Sequence, residues 1–263
     1  MKHILQENFS TQKVEKYIKE YKYNSPFPYV VIDNFLKNKI AKKIEKEFPN
    51  FTDKELHEYR NYCEIKKSTN LWNLFQPTTY QLISILNSSE FINNIKKKLK
   101  MKNLYADPGL NGGGLHIMGK GGKLNPHLDY VIHPKLNIKR KFNLIIFVTS
   151  NWKDKNGGEL CFFGKNKKNK NMPGEMVKKI VPKFNRAILF DTSMYSWHAV
   201  SRVLTTNIRK SIATYYLILK NKNLENRKKA LYSPLKNQIK NKKVKNFIKM
   251  RSNIKSYTKV FVT

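Results

Sequence analysis

Eight short segments, apolar or alternating in character, crowd into the stretch from residue 115 to residue 219, with turn-forming residues between them. They are residues 115–118, 124–130, 142–149, 159–163, 176–181, 187–191, 197–202 and 211–219. All are too short for ordinary helices, and most are rich in the β-branched and aromatic side chains that suit extended chain. Gly112-Gly113-Gly114 opens the series, and Asn156-Gly157-Gly158 is a hairpin signal between two of its members. Strands this short bury their apolar faces only when two sheets pack together. The expected fold class is therefore α+β with a mainly β core: a double-stranded β-helix, the jelly-roll or cupin-like barrel, with N-terminal helices packed on one sheet.

Residues 1–107 read as a mainly helical support region. Ser10 and Thr11 can cap a helix through Val14, Tyr17, Ile18 and Tyr21, which the Pro26-Phe27-Pro28 break ends. Tyr29-Val30-Val31-Ile32 reads as a strand, and Phe35, Ile40, Ile44 and Phe48 mark the apolar stripe of a second helix. Residues 78–86 and 91–99 predict two more helices. Residues 108–220 hold the β core, and residues 221–263 form a basic tail, a polar linker followed by a helix around residues 235–250.

The chain has 263 residues, 40% of them hydrophobic and 12% aromatic, which is too apolar for a disordered protein despite a formal charge of +34. Lysine supplies 45 of the 52 basic side chains, and they spread along the whole chain. Most of that charge reads as solvated surface, with attraction of an acidic partner as the functional alternative. Only Cys63 and Cys161 are present, so a disulfide framework and a cysteine-built zinc site are both excluded. The longest apolar run is too short to cross a membrane, and the N-terminal segment lacks the pattern of a signal peptide, so a cytoplasmic protein is expected.

The chemistry concentrates at His127. On a strand, residues two apart project from the same face, so His127 and Asp129 can offer an imidazole and a carboxylate to one point while Leu128 packs behind them. His198, three predicted strands later, is the candidate third ligand. Two imidazoles and one carboxylate on one face of a metal leave coordination positions open, the arrangement used by non-haem Fe(II) oxygenases. Eleven residues beyond His198, Arg209 and Ser211 share a strand face and can converge on one carboxylate, with Lys210 directed to the opposite face. His133 reads as the start of a loop over the site, facing substrate or exposed, His116 as either interior-facing or packed in the core, and Asp191 as a weaker rival to Asp129.

These landmarks occur in order with Gly157-Gly158-Glu159-Leu160 and Pro182-Lys183-Phe184-Asn185-Arg186, and with Arg140 and Trp152 flanking one strand. Together with Tyr29-Val30-Val31-Ile32-Asp33-Asn34-Phe35-Leu36, the set resembles the prolyl 4-hydroxylase-like 2-oxoglutarate/Fe(II)-dependent dioxygenases over roughly residues 26–220. The resemblance implies Fe(II) on His127, Asp129 and His198, and 2-oxoglutarate as co-substrate with its distal carboxylate on Arg209, helped by Ser211. It implies O2 as a reactant, ascorbate as an accessory reductant, and hydroxylation of a C–H bond in a prolyl or other amino-acid residue. Phe147 stands where some members of the family place a tyrosine that also holds the co-substrate. An oxygenase acting on a glycan or a nucleic acid, and a non-enzymatic basic binding protein on the same barrel, are the alternatives.

Overall fold

A computed structural model describes residue 4 and residues 20–169, 171–219 and 227–252. The helix expected from Ser10 onward falls largely outside these residues. Thirteen strands form one antiparallel sheet that curls on itself: β1 (Tyr29–Ile32), β2 (His57–Arg60), β3 (Glu64–Thr69), β4 (Tyr105–Ala106), β5 (Gly114–Met118), β6 (Lys123–Leu128), β7 (Lys139–Phe147), β8 (Leu160–Lys165), β9 (Pro173–Ile180), β10 (Arg186–Asp191), β11 (His198–Val200), β12 (Arg209–Ile218) and β13 (Leu231–Tyr232). The helices are α1 (Asn38–Glu47), α2 (Pro77–Leu86), α3 (Ser89–Lys98) and α4 (Lys242–Ser252). The main path runs β1-β10-β7-β12-β5-β3-β6-β11-β8-β9. Strands far apart on that path meet face to face, with the Phe162 ring of β8 and the Phe190 ring of β10 only 5.5 Å apart. The curl produces the two-layered double-stranded β-helix, and each of the eight predicted segments from residue 115 onward overlaps one of its strands.

Strand alternation separates two cores. Along β12, Ile212 and Tyr216 face outward beside Phe142, Leu144 and Ile146 of β7, and they pack against Ile44 of α1, Leu82 and Leu86 of α2 and Phe91 of α3. The opposite faces of β7 and β10 turn Phe147, Ile188 and Phe190 inward against Leu160, Phe162 and Ile180 of the second layer. Helices thus cover one layer from outside while aromatic residues fill the space between layers. Ser88 caps α3 by accepting from Phe91 N at 3.2 Å. Glu47 of α1 accepts from the backbone N–H groups of Thr78 and Thr79 at 3.1 and 2.7 Å, which satisfies the start of α2.

The Pro182–Arg186 motif is a fastener. Asn185 takes a φ of 60°, which asparagine tolerates, and its amide exchanges two hydrogen bonds with the Leu36 backbone at 2.8 and 2.7 Å. Arg186 forks onto Asp33 at 2.6 and 2.9 Å. The segment following β1 is thereby locked to the sheet.

One part of the N-terminal reading is corrected. Residues 57–69 were expected within a mainly helical region, and they form the β2–β3 hairpin, in which β3 bridges β5 and β6 and joins the two layers. Alternating charges in Glu64–Thr69 hide the pattern, because the residues that this strand buries are Glu64, Ser68 and Thr69 rather than aliphatics. The tail helix is shorter than expected and is preceded by β13, which the sequence did not signal.

Gly114 marks the tightest backbone approach in this region. Its φ is 89°, and a Cβ there would lie 2.1 Å from the Thr69 carbonyl oxygen. Gly114→Ala is expected to destabilise the fold by about 2–4 kcal/mol from strain and overpacking. A melting curve should fall by on the order of 10 °C; an unchanged melting temperature would contradict this packing.

Candidate metal centre

His127 is the penultimate residue of β6 and His198 begins β11, and the two residues are direct cross-strand partners. Their rings lie 4.1 Å apart between centroids. Asp129 follows β6 on the same face. Its Oδ1 is 3.7 Å from His127 Nε2 and its Oδ2 3.8 Å from His198 Nε2. One ligand atom from each of the three residues lies within 4.8 Å of the others, the spacing one ion can bridge.

Both imidazoles are aimed by the backbone. His127 Nδ1 sits 2.9 Å from the Asn125 carbonyl oxygen, and His198 Nδ1 sits 2.8 Å from that of Ser196. A carbonyl can only accept, so Nδ1 carries the proton and each Nε2 lone pair faces the centre. Burial, followed by the neighbouring His198, pulls the His127 pKa down to about 3, so its ring is neutral and ready to ligate at ordinary pH. Burial would raise the Asp129 pKa, but His198, His127, Arg140 and a hydrogen bond from Tyr215 outweigh it and hold the carboxylate at about 2. A neutral His127 imidazole beside an ionised Asp129 carboxylate results.

Several supporting residues were not legible in the sequence. Tyr215 OH donates to Asp129 Oδ2 at 3.1 Å, and the Asn143 amide donates to the same oxygen at 3.3 Å. These two face inward as cross-strand partners on β12 and β7. Arg140 is fully buried between the Tyr130 and Tyr215 rings, its guanidinium 3.5 Å from each centroid, and it backs the residue that orients Asp129. Phe190 meets the His198 ring edge-on at 5.0 Å. Only knowledge of strand register could have exposed these partnerships.

Arg209 and Ser211 share the inner face of β12, and Arg209 Nη1 donates to Ser211 Oγ at 3.2 Å. Arg209 Nε donates to the Gly158 carbonyl oxygen at 2.8 Å. Gly157 and Gly158 both take φ values of 69°; a Cβ at Gly158 would lie 3.0 Å from Arg209 Cδ. The glycine pair thus forms the cradle in which the arginine lies. Phe147 supplies a ring 4.8 Å from the guanidinium without the hydroxyl that some relatives have. Lys210 points outward, as expected, and donates to the Glu45 carbonyl oxygen at 2.9 Å. Arg209 is 3% exposed, and burial draws its pKa down to about 10. It forms no ion pair with any described residue. A buried, uncompensated guanidinium in a built cradle fits a carboxylate-bearing ligand.

The remaining candidates separate cleanly. His133, read as facing substrate or solvent, is buried: its Nδ1 accepts from the Lys135 and Leu136 backbones at 3.3 and 3.1 Å, and its Nε2 lies 3.3 Å from Asp107 Oδ1. The ring closes its own loop, which turns it away from solvent. Asp191 pairs with Lys141, apart from the centre. His116 partners Ser211 and Ser68 across the sheet, so it belongs to the inward row. Burial, then the positive charge of Lys66, lowers its pKa to about 3.

Residues 113–217 match the family model described as the 2OG-Fe(II) oxygenase superfamily. The match points to Fe(II) and 2-oxoglutarate as cofactor and co-substrate. The prolyl 3-hydroxylase OGFOD1 of Xenopus laevis is 35% identical over 66 residues, which are 25% of this chain and 12% of that relative. A Pseudomonas putida prolyl-4-hydroxylase superposes with a TM-score of 0.57 at 13% identity, over 79% of this chain and all of the other. A Trichoplax adhaerens prolyl hydroxylase, solved with a hypoxia inducible factor peptide fragment, gives 0.55 at 17% identity, over 80% of this chain and 95% of that one. Both likenesses bear out the fold. No helix among the described residues is long and apolar enough to cross a membrane.

Two outcomes are expected. Tyr215→Phe removes the donor to Asp129 and should weaken Mn(II) binding about tenfold in a thermal-shift titration; unchanged affinity would remove Tyr215 from its supporting role. The second concerns pH. Histidines with folded pKa values near 3 bind fewer protons than their unfolded counterparts between about pH 3 and 6.5. The metal-free protein should therefore lose stability as pH falls through that window, and His116→Asn should flatten the slope. A slope unaltered by that change would contradict the burial of His116.

Proposed function

We propose that the chain is a 2-oxoglutarate- and Fe(II)-dependent dioxygenase that hydroxylates a C–H bond, with a prolyl or other amino-acid residue as the substrate class. The observation carrying this reading is the pairing of a His127–Asp129–His198 face with a buried, uncompensated Arg209 on the inner surface of the same barrel. The first suits a metal with positions left open, and the second suits a dicarboxylate co-substrate. Held by His127, Asp129 and His198, a ferrous ion would supply O2 activation, with the 2-oxo acid as the two-electron reductant whose products would be succinate and CO2, and with one oxygen atom left for the substrate C–H bond.

The chain's own residues bind and orient. His127 and His198 present their Nε2 atoms, and Asp129, fixed by Tyr215 and Asn143, adds the single negative charge. Arg209, held by Gly158 and Ser211, takes the distal carboxylate of 2-oxoglutarate. Phe147, Phe162 and Phe190 line the interior and exclude water. No side chain need act as a base, and ascorbate is assigned the role of keeping the metal reduced. The prolyl substrate class rests on the likeness to prolyl hydroxylases, and a charge of +34 favours an acidic substrate or partner.

Succinate release should be measured with prolyl peptides, free amino acids, glycans and oligonucleotides as candidate substrates. A peptide carrying proline is expected to stimulate release, and Asp129→Ala is expected to abolish it. Arg209→Ala should raise the KM for 2-oxoglutarate tenfold or more, on the order of one charged hydrogen bond, with little change in Mn(II) affinity. Turnover by Asp129→Ala at the wild-type rate would end the metal assignment. An Arg209→Ala enzyme with an unaltered KM would end that of the co-substrate.

A further inference from the structure

The tail beyond the matched oxygenase domain returns to the metal strand. Strand β13 pairs with β6 so that Tyr232 is the cross-strand partner of His127 and Leu231 that of Leu128. The Tyr232 ring lies nearly parallel to the His127 imidazole, 5.3 Å away at 19°. Behind it stands the Arg251 guanidinium of α4, 4.6 Å from the tyrosine centroid. Tyr232 OH donates to Glu64 Oε2 at 3.2 Å; Glu64 is itself buried and paired with Arg251 and with Lys66. Four groups are therefore layered from the centre outward: His198, His127, Tyr232 and Arg251. Arg227 grips the other end of the ligand pair, with Nη1 donating to the Asp129 carbonyl oxygen at 2.6 Å and to that of Leu128 at 3.3 Å. Its own carbonyl accepts from Val131 and Ile132.

We infer that residues 227–252 position the metal ligands, with Tyr232 setting the ring plane of His127 and Arg227 fixing the backbone at Asp129. This rests on the metal assignment proposed above. The torsion about the bond joining an imidazole ring to its Cβ is broad, so a hydrogen bond at Nδ1 alone leaves the plane loosely set. His198 has a second restraint in the edge of Phe190, and for His127 the corresponding ring comes from the tail. Groups around a metal's ligands typically change affinity about 10–100-fold when removed. The tail read in the sequence as a basic segment, a polar linker followed by a helix, thus belongs to the metal centre. Tyr232 is a positioning residue that acts through His127.

The test is a Co(II) titration of the full chain followed by visible absorption, with the metal-free melting temperature measured alongside. Tyr232→Leu fills the space without defining a plane, and it should weaken Co(II) binding about tenfold and alter the ligand-field spectrum. Tyr232→Phe keeps the ring and should restore both to within about threefold of wild type. Arg227→Met should also weaken binding, and it carries the test if Tyr232→Leu does not fold. A lowered melting temperature in Tyr232→Leu with wild-type Co(II) affinity and spectrum would reduce Tyr232 to packing and overturn the inference. Wild-type affinity in Arg227→Met would overturn the part assigned to Arg227. A wild-type chain that binds no Co(II), or a His127→Ala variant that binds it equally well, would instead overturn the metal assignment beneath it.

Discussion

The pairing of β6 with β11 is the constraint on which the rest depends. It sets His127 directly opposite His198, so two imidazoles that lie 71 positions apart in the chain become neighbours across one ladder step. A slip of one residue in either strand would turn one ring to the outer face and dissolve the arrangement. Asp129 then needs only to continue the alternation of β6 to join them. The layer around this pair, β6-β11-β8-β9, is held to its partner layer by β3 and by the interlocking of Phe162 with Phe190. Geometry at the centre is therefore a property of the whole barrel.

Burial gives the centre its chemistry. A dry interior favours neutral imidazole over imidazolium and would also neutralise a lone carboxylate, yet Asp129 stays ionised because Arg140, Tyr215 and the histidines surround it. The same interior makes Arg209 costly unless an anion meets it. An arrangement with two imidazole donors, one fixed anion and one waiting cation is matched to a divalent ion together with a dicarboxylate. The charge of the site is thus complementary to a ferrous ion and 2-oxoglutarate together.

Much of this was legible in the sequence, for identifiable reasons. Strand spacing gave the barrel because short apolar runs fenced by glycine and asparagine admit few other arrangements. His127-x-Asp129 and Arg209-x-Ser211 were readable because a period of two assigns faces without knowledge of partners. The glycine pair at 157–158 could be seen as a turn, but not as the cradle of Arg209, since that contact spans 51 positions. Asn143 and Tyr215 look like ordinary strand residues until register places them around Asp129, and Arg140 stood out only as a landmark of the resemblance, with no sign of its place there. The β2–β3 hairpin escaped because it buries Glu64 and hydroxyl side chains, which carry no apolar signature. His133 was misjudged because its loop folds back to satisfy its own ring nitrogen. Tyr232 could not be anticipated either, because a two-residue strand has no periodicity to read.

Anomalous diffraction from a crystal of the protein grown with Co(II) and 2-oxoglutarate tests the central claim most directly. A single strong peak is predicted among His127 Nε2, His198 Nε2 and an Asp129 carboxylate oxygen, about 2.0–2.2 Å from each, as such ligands require. The 2-oxo acid should chelate that ion, with its distal carboxylate on Arg209. A metal bound elsewhere, with these three side chains making no common contact to it, would contradict the account.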